Sequence, residues 1–351
     1  MNTLCRHFGI CGGCTLQDVP SDEYLARKRG GVEAALARHN ISDASVEPPV
    51  AVPPRSRRRA VFRIARQDGA TQVGFYGLRT HTIVDMQECF VITPGLFGLV
   101  GRLRAGMNDL LANGQSAEVH VTEAENGFDI AFRANAPPTP ARNTVLAGSS
   151  FRAARITWNS ALAVESDAPT VRFGKAKVKL PPDAFLQPTA EGEAALRARV
   201  IAALKGAKTI IDLFSGCGTF SLPLAAQARV HAVEKEQSML DALAAAARAT
   251  PGLRPVTIAK RDLFKLPVTV AELDRFDGVC LDPPRAGAEA QARLLAQSKV
   301  KRIVYVSCDA QSFARDARLL VDGGYRLGAV TPVDQFLWSS HIELVADFTR
   351  A

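Results

Sequence analysis

The chain has 351 residues, 47% of them hydrophobic, which is enough for two or three domains with at least one large core. It contains no uninterrupted apolar stretch of roughly 18 residues, and its N-terminus lacks the apolar core of a signal peptide, so we exclude a membrane protein and expect a cytoplasmic one. The formal net charge of +8 favours a polyanionic partner, because Lys and Arg gain affinity by neutralising phosphates.

The N-terminal segment, residues 1–50, contains a cysteine cluster. Cys5, Cys11 and Cys14 are spaced C-x5-C-x2-C, and Cys89 is a distant fourth thiol. Because disulfides are rare in the cytoplasm, we interpret these thiols as metal ligands. Zinc sites usually consist of two close cysteine pairs, whereas three clustered cysteines with one remote partner are more typical of a [4Fe–4S] cluster. The sequence therefore favours the iron–sulfur cluster, with structural zinc as the alternative.

One amphipathic helix is predicted next, over about residues 21–40, with Ser21 as its N-cap. The proline-rich stretch "EPPVAVPP" then marks the start of a second region, residues 51–174. Short alternating strands with Gly and Asn turns, such as "AVFRIARQDGATQVGFYG" and "AEVHVTEAENGFDIAFRA", predict an antiparallel sheet there. Residues 136–147 are predicted to form a loop. We expect a β-rich central domain.

A dense arginine cluster opens this central domain. The stretch "PPRSRRRAVFRIAR" contains Arg57, Arg58 and Arg59 side by side, with three more arginines close by. A solvated surface loop rarely needs so many cations, although a merely soluble basic face remains the alternative. We predict that these three side chains bind phosphates of the polyanionic partner.

From about residue 175 to 351, strands alternate with alanine-rich helices, which predicts a doubly wound, Rossmann-like parallel sheet. In "AKTIIDLFSGCGTF" an apolar strand enters a glycine loop at Gly216 and Gly218, which allows close backbone approach to a ligand. The next strand ends in Glu234, spaced to accept both hydroxyls of a ribose. Asp262 follows a third strand, where a carboxylate could accept an adenine amino group. The alternative is that both acids merely cap strand ends.

Two further strands end in reactive residues. "LDPPRAG" presents Asp282 on a turn stiffened by two prolines, and "VYVSCDAQSFARD" presents Cys308. The D-P-P motif resembles that of methyltransferases acting on exocyclic amines, but Arg285 stands where those enzymes have an aromatic residue. That departure argues against an amine acceptor. We interpret Cys217 and Cys280, by contrast, as core residues.

Five motifs in order, "FLQP", "DLFSGCGTF", "LDPPRAG", "VYVSCDAQSFARD" and "HIE", resemble those of the RNA uridine C5-methyltransferases. The resemblance implies an α/β fold with a Rossmann-like S-adenosylmethionine-dependent methyltransferase domain. It implies Cys308 as the nucleophile and Glu343 as the general base, with Asp282 and Arg285 at the substrate. The cofactor contacts that it implies, together with the glycine loop, are Gln187, Phe214, Thr219, Glu234, Asp262 and Asp282. At Thr219 relatives usually carry Asn, so this contact departs from the pattern.

The resemblance also implies a [4Fe–4S] cluster on the four cysteines and an RNA substrate. We expect 23S ribosomal RNA, with transfer RNA as the runner-up, and we expect a monomer without the additional N-terminal β-barrel domain of many relatives. Two other functions remain open: an RNA cytosine C5-methyltransferase and a catalytically silent RNA-binding protein. Carbon 5 of uracil is a weak nucleophile, so a thiolate must first add to carbon 6, which explains why this chemistry needs a cysteine.

Overall fold

The computed structural model describes residues 4–350. None of its helices in that range is both long and apolar enough to cross a bilayer. The helices are α1 (Ser21–Arg38), α2 (Pro94–Gly106), α3 (Pro140–Ala147), α4 (Ala190–Ala203), α5 (Ser221–Leu224), α6 (Gln237–Ala249), α7 (Val270–Leu273), α8 (Glu289–Gln297) and α9 (Ala310–Asp322), with one 3-10 turn at Met107–Asp109.

The strands form two large sheets and one small hairpin within the described range. They are β1 (Val50–Ala51), β2 (Arg59–Gln67), β3 (Ala70–Tyr76), β4 (Ile83–Asp85), β5 (Ser116–Ala124), β6 (Gly127–Ala134), β7 (Ala153–Trp158), β8 (Ala161–Glu165), β9 (Thr170–Phe173), β10 (Ala176–Lys179), β11 (Thr209–Leu213), β12 (Arg229–Glu234), β13 (Val256–Lys260), β14 (Gly278–Leu281), β15 (Arg302–Ser307), β16 (Arg326–Asp334) and β17 (Glu343–Thr349).

The C-terminal half is the doubly wound sheet that the sequence predicts. Its order is β1-β16-β17-β15-β14-β11-β12-β13. Strands β11 to β15 are parallel, whereas β17 runs antiparallel to both β15 and β16. In β15, Ile303 and Tyr305 pack into one core, and Val304 and Val306 pack into another on the opposite face. Such a strand is buried on both faces, as is typical of a parallel sheet covered by helices.

The end of β15 fixes the position of Cys308. Directly after it, Asp309 caps helix α9, because its Oδ1 accepts hydrogen bonds from the backbone N–H groups of Gln311 (3.1 Å) and Ser312 (2.9 Å). The predicted strand, cysteine and helix are therefore confirmed in that order. Cys308 is held between a buried strand and a capped helix, at the carboxyl edge of the sheet where ligands bind in such folds.

The central sheet has the order β4-β3-β2-β5-β6-β7-β8 and packs against α2. The predicted hairpins β2–β3 and β5–β6 are confirmed, but the sheet is not purely antiparallel, because β7 pairs parallel to β6. The predicted loop at 136–147 is wrong for residues 140–147, which form α3. Thr139 caps that helix by accepting a hydrogen bond from Arg142 N–H, Pro140 occupies its first turn and Leu146 is buried.

Helix α1 belongs to the packing of the C-terminal sheet. It contacts α9 and β16, and its Lys28 Nζ lies 2.8 Å from Asp334 Oδ1 with both side chains buried. Ser21 is not the N-cap: it is the first helical residue, after Pro20, which offers no capping side chain. Strand β1 also joins this sheet, parallel to β16. The division into residues 1–50, 51–174 and 175–351 stays a prediction.

Candidate active site

The carboxyl ends of the parallel strands open into one cavity of about 710 Å³, which we call the reaction cavity. Most of the residues that the sequence singles out lie on its lining. Gly218 and Arg58 do not. The predicted residues on the lining are Arg57, Arg59, Gln187, Phe214, Gly216, Thr219, Glu234, Asp262, Asp282, Arg285, Cys308 and Glu343.

The glycine loop after β11 is shaped by its backbone. Phe214 has φ +61°, a left-handed conformation that is rare for a bulky residue, and Gly216 has φ +52°. Gly216 N–H donates to Glu234 Oε2 at 3.1 Å, and the backbone N–H of Lys235 donates to Oε1 at 2.7 Å. Both carboxylate oxygens of Glu234 are thus held in place. Gly218 also has a positive φ of +97°, and an added Cβ there would meet Leu222 at 3.0 Å.

Two aromatic rings flank the outer part of the reaction cavity. Phe264, which the sequence reading missed, is 52% exposed, and its ring centroid lies 5.5 Å from that of Phe214. Between them and β13, Asp262 Oδ1 accepts a hydrogen bond from Phe264 N–H at 3.1 Å. A planar ligand with a polar edge, such as adenine, matches this pair of rings beside a carboxylate.

The deep end of the cavity contains two carboxyl groups beside a thiol. Burial raises the pKa of Glu343 to about 7, even though a hydrogen bond from Gln335 opposes the shift. Burial, and then the charge of Glu343, raise the pKa of Asp282 well above its ordinary value. Each carboxyl group therefore binds its proton more tightly than an exposed carboxyl group does, and such a pair can supply both a donor and an acceptor of protons.

Cys308 faces these acids from the end of β15. Its pKa is raised to about 11, first by burial and then by the charges of Glu343 and Asp282. Arg285 lies nearby but is engaged elsewhere, since its Nε is 3.4 Å from Asp309 Oδ2. The free thiol is therefore protonated near neutral pH, and its activation requires a change in charge around it when ligands bind.

An amide network lies behind the two acids. Gln187 Nε2 donates to Asp282 Oδ2 at 3.1 Å, and Gln335 Nε2 donates to Gln187 Oε1 at 2.7 Å. Sequence reasoning missed Gln335. A signal was available, because Gln335 directly follows β16, as other site residues directly follow their strands. In the structure it is a buried polar residue at the end of a strand of this sheet.

The three predicted phosphate-binding arginines differ in their environments. Arg58 Nη2 pairs with Glu193 Oε2 at 2.5 Å, and its Nε donates to the carbonyl of Gln187 at 3.2 Å. Arg59 Nη1 donates to the carbonyl of Leu186 at 2.6 Å, and Arg57 Nε donates to the carbonyl of Arg59 at 2.9 Å. Arg57 and Arg59 nevertheless lie on the cavity lining. Their role at phosphates stays a prediction.

The four N-terminal thiols line a second cavity of about 400 Å³, which we call the cysteine cavity: Cys5, Cys11, Cys14 and Cys89. Burial, followed by the charges of the other three cysteines, raises the pKa of Cys14 to about 12. Among residues 4–350, no three His, Cys, Asp or Glu side chains converge closely enough to bind a single metal ion. In a cubane each thiolate binds a different iron atom, so its ligands stand farther apart than those of one ion.

Comparison with known proteins gives consistent matches. Residues 169–349 match the tRNA (uracil-5-)-methyltransferase family. An uncharacterized RNA methyltransferase of Brucella suis is 42% identical, over 99% of this chain and 84% of that protein. The 23S rRNA (uracil(1939)-C(5))-methyltransferase RlmD of Chromohalobacter salexigens is 31% identical, over 99% of this chain and 76% of that protein.

One solved structure matches along nearly the whole chain. It is the tRNA (uracil-54, C5)-methyltransferase of Pyrococcus abyssi in complex with S-adenosyl-L-homocysteine, with a TM-score of 0.75 and 24% sequence identity. The match covers 97% of this chain and 85% of that one. At this identity the likeness shows a shared fold.

Proposed function

Because the chain belongs to the tRNA (uracil-5-)-methyltransferase family, we propose that it methylates carbon 5 of one specific uridine in a structured RNA through a covalent Cys308 adduct. Family membership makes the chain an RNA methyltransferase, and its fold is that of S-adenosylmethionine-dependent enzymes. The observation that carries the mechanism is that Cys308, Asp282 and Glu343, from three different strands, line one cavity. No pair of these residues is adjacent in sequence.

The first step is the addition of the Cys308 thiolate to uracil carbon 6. The sulfur forms a bond to carbon 6, and the electrons of the C5=C6 double bond move toward the O4 oxygen, which leaves carbon 5 nucleophilic. Burial and the charge of Glu343 raise the pKa of Asp282 and so favour its protonated form. A neutral carboxylic acid can donate a hydrogen bond to the oxygen on which charge develops.

Glu343 acts after carbon 5 has received the methyl group. Its carboxylate accepts the carbon 5 proton, the electron pair of that bond restores the C5=C6 double bond, and the bond between carbon 6 and sulfur breaks. Cys308 leaves as a thiolate, and the methylated base is released. The pKa of Glu343, raised to about 7 by burial, suits a base that operates near neutral pH.

S-adenosylmethionine, when bound, supplies a methyl group on a positively charged sulfonium. The residues fit such a cofactor. Glu234 offers a fixed carboxylate to ribose hydroxyls, and Phe214 and Phe264 flank a polar edge at Asp262. We further propose contacts from Gln187, Gly216 and Thr219, which lie on the same lining.

We propose 23S ribosomal RNA as the substrate and transfer RNA as the second candidate. The ribosomal assignment is supported by the relative named for 23S rRNA, which aligns over 99% of this chain at 31% identity. The transfer RNA candidate is supported by the name of the matched family. Mapping of 5-methyluridine by mass spectrometry in RNA from a deletion strain tests both, because only the true target loses its modification.

We also propose that Cys5, Cys11, Cys14 and Cys89 hold a [4Fe–4S] cluster. Their presence on one cavity lining supports this set, and the sequence pattern of three clustered cysteines with one remote partner favours a cluster over zinc. The cluster would join the N-terminal segment to the loop between β4 and α2, which is far from it in sequence. We assign it a structural role.

The test of the mechanism uses RNA labelled with tritium at carbon 5. Methylation of uracil must release this tritium, so uridine-labelled RNA should release it and cytidine-labelled RNA should not. Release from cytidine would instead establish a cytosine C5-methyltransferase. RNA containing 5-fluorouridine should trap a covalent complex with the native protein and none with Cys308→Ala. An active protein that forms no such complex would refute the covalent mechanism.

A further inference from the structure

Gln335 lies between Glu343, the proposed general base, and Gln187, a proposed cofactor contact. It directly follows β16, is 1% exposed, and does not itself reach the cavity lining. The residue before it, Asp334, is fixed by the buried ion pair with Lys28 at 2.8 Å. Its backbone is therefore anchored, so its side chain amide has a defined direction.

The two N–H bonds of this amide have two acceptors. Gln335 Nε2 lies 2.7 Å from Gln187 Oε1 and 2.9 Å from Glu343 Oε2. If the amide were flipped, the oxygen of Gln335 would face Gln187 Oε1 and Glu343 Oε2, and the oxygens would repel one another. The other end of the amide, Oε1, is buried without a hydrogen-bond partner and faces Gly192, where an added Cβ would stand only 2.6 Å away.

We propose that Gln335 is a positioning residue that orients both the general base, Glu343, and the side-chain amide of Gln187. By holding Glu343 Oε2, it leaves Oε1 as the oxygen that accepts the carbon 5 proton. By donating to Gln187 Oε1, it turns the amino group of Gln187 toward Asp282, to which Gln187 donates at 3.1 Å. This inference rests on the proposed role of Glu343 as the base.

The same hydrogen bond affects the charge of Glu343. A donor stabilises the carboxylate, and Gln335 lowers a pKa that burial raises to about 7. The ionisable groups facing Glu343 are Asp282 from the end of β14 and Cys308 from the end of β15, and the charge of Glu343 raises the pKa of both. Behind Gln335, the Lys28–Asp334 pair is internally neutral. Loss of the Gln335 donor should therefore raise the pKa of Glu343 further.

The experiment compares Gln335→Met, which keeps the length of the side chain but has no N–H donor, with native protein and Glu343→Gln. The substrate is total RNA from a deletion strain, with S-adenosylmethionine labelled in its methyl group. For Gln335→Met we expect the rate at which methylated RNA is released from the protein to fall about 10- to 100-fold, because the general base Glu343, when misaligned, loses much of its effect. Labelled RNA–protein adduct should accumulate, and the pH midpoint of release should rise by about one unit.

Thr331→Val is the matched control, because Thr331 is buried on the same strand and loses one hydrogen bond, to Glu47 Oε2, away from the cavity. It should show neither adduct nor pH shift. The positioning role is overturned if Gln335→Met forms methylated RNA as fast as this control. It is also overturned if the variant is slower but shows neither accumulated RNA–protein adduct nor a shifted pH midpoint. In both cases the proposed function stands. Absence of 5-methyluridine with native protein overturns both.

Discussion

The reaction cavity and the cysteine cavity share one wall, formed by Arg57, Ala60, Val61 and Phe336, yet they are built differently. In the reaction cavity, Asp282, Cys308 and Glu343 lie at the ends of strands in one sheet, which places them rigidly, and the central sheet completes the lining. The cysteine cavity is assembled from an N-terminal turn and a segment near position 89. Sheet edges bring distant residues together by topology alone, whereas a loop site requires something else to join its parts.

The thiols of the two cavities illustrate this difference. Burial raises the pKa of Cys308 to about 11 and that of Cys14 to about 12. Beside Cys308 stand two carboxyl groups with raised pKa values, whereas beside Cys14 stand other cysteines. If the proposed cluster binds there, ligation to iron displaces the protons of the clustered thiols.

The largest effect should come from removing one thiol from each cavity. Cys308→Ala should abolish formation of 5-methyluridine, because no other group on the lining can add to carbon 6, while iron content stays unchanged. Cys89→Ala should abolish iron binding while 5-fluorouridine RNA still traps the remaining folded protein. Mass spectrometry of RNA and iron analysis of anaerobically purified protein measure the two losses.

Cys280→Ala is the control for this pair, because Cys280 is a fully buried thiol two residues before Asp282. It should retain both activities with a small loss of stability. If Cys308→Ala still methylated RNA, or if Cys89→Ala retained full iron content, the two cavities would not have the separate roles that we assign to them.

The second largest effect concerns the wall itself, which α1 supports from behind. Lys28 Nζ binds Asp334 Oδ1 at 2.8 Å and also donates to the carbonyl of His341, so it fixes both ends of the loop that carries Phe336. Lys28→Met leaves a buried carboxylate unpaired and should lower the free energy of unfolding by about 3–5 kcal/mol. Urea unfolding measures this loss.

Arg27→Met removes a neighbouring ion pair, with Glu23, that is exposed to solvent. It should cost no more than about 1 kcal/mol. Equal losses for the two variants would mean that the buried pair does not fix the wall. A Lys28→Met/Asp334→Asn double variant should recover part of the stability, because the uncompensated charge is gone.

Much of the reaction cavity could be predicted from sequence, because strand ends are visible as apolar runs followed by a polar residue. Asp262, Asp282 and Cys308 all follow that rule, and all lie on one lining as expected. Cys217 and Cys280, interpreted as core residues, are indeed buried. The specific roles of the site residues stay predictions.

What the sequence could not reveal depends on contacts between distant segments. Nothing local indicates that Lys28 in α1 pairs with Asp334, or that β7 runs parallel to β6. The arginine cluster reads as a uniform basic surface, but Arg58 is paired with Glu193 from α4. Helix α3 was missed because its signal, Thr139 followed by Pro140, lies in a stretch otherwise rich in loop residues.

The third effect is the pH dependence of stability that Glu343 in the reaction cavity confers. Burial raises the pKa of Glu343 from 4.5 to about 7 in the folded protein. The unfolded chain releases this proton first, so the stabilisation is present below pH 4.5 and is lost as the pH rises toward 7. The difference of about 2.5 units corresponds to about 3 kcal/mol.

Urea unfolding between pH 5 and 7 should therefore show native protein losing stability relative to Glu343→Gln, whose neutral amide does not titrate. Parallel pH profiles for the two proteins would contradict the assignment of a buried, titrating carboxyl to the reaction cavity.

The smallest effect distinguishes two neighbouring arginines, Arg58 and Arg59, next to the wall in sequence. Arg59 lies on the reaction cavity lining, whereas Arg58 is paired with Glu193 at 2.5 Å and lies outside the lining. If Arg59 neutralises an RNA phosphate, Arg59→Ala should lower the slope of log affinity against log salt by about one, whereas Arg58→Ala should leave it unchanged. Filter binding at several salt concentrations measures both slopes. Equal slopes would remove Arg59 from the RNA contact, and Arg57, the charged member of the wall, would remain as a candidate phosphate contact.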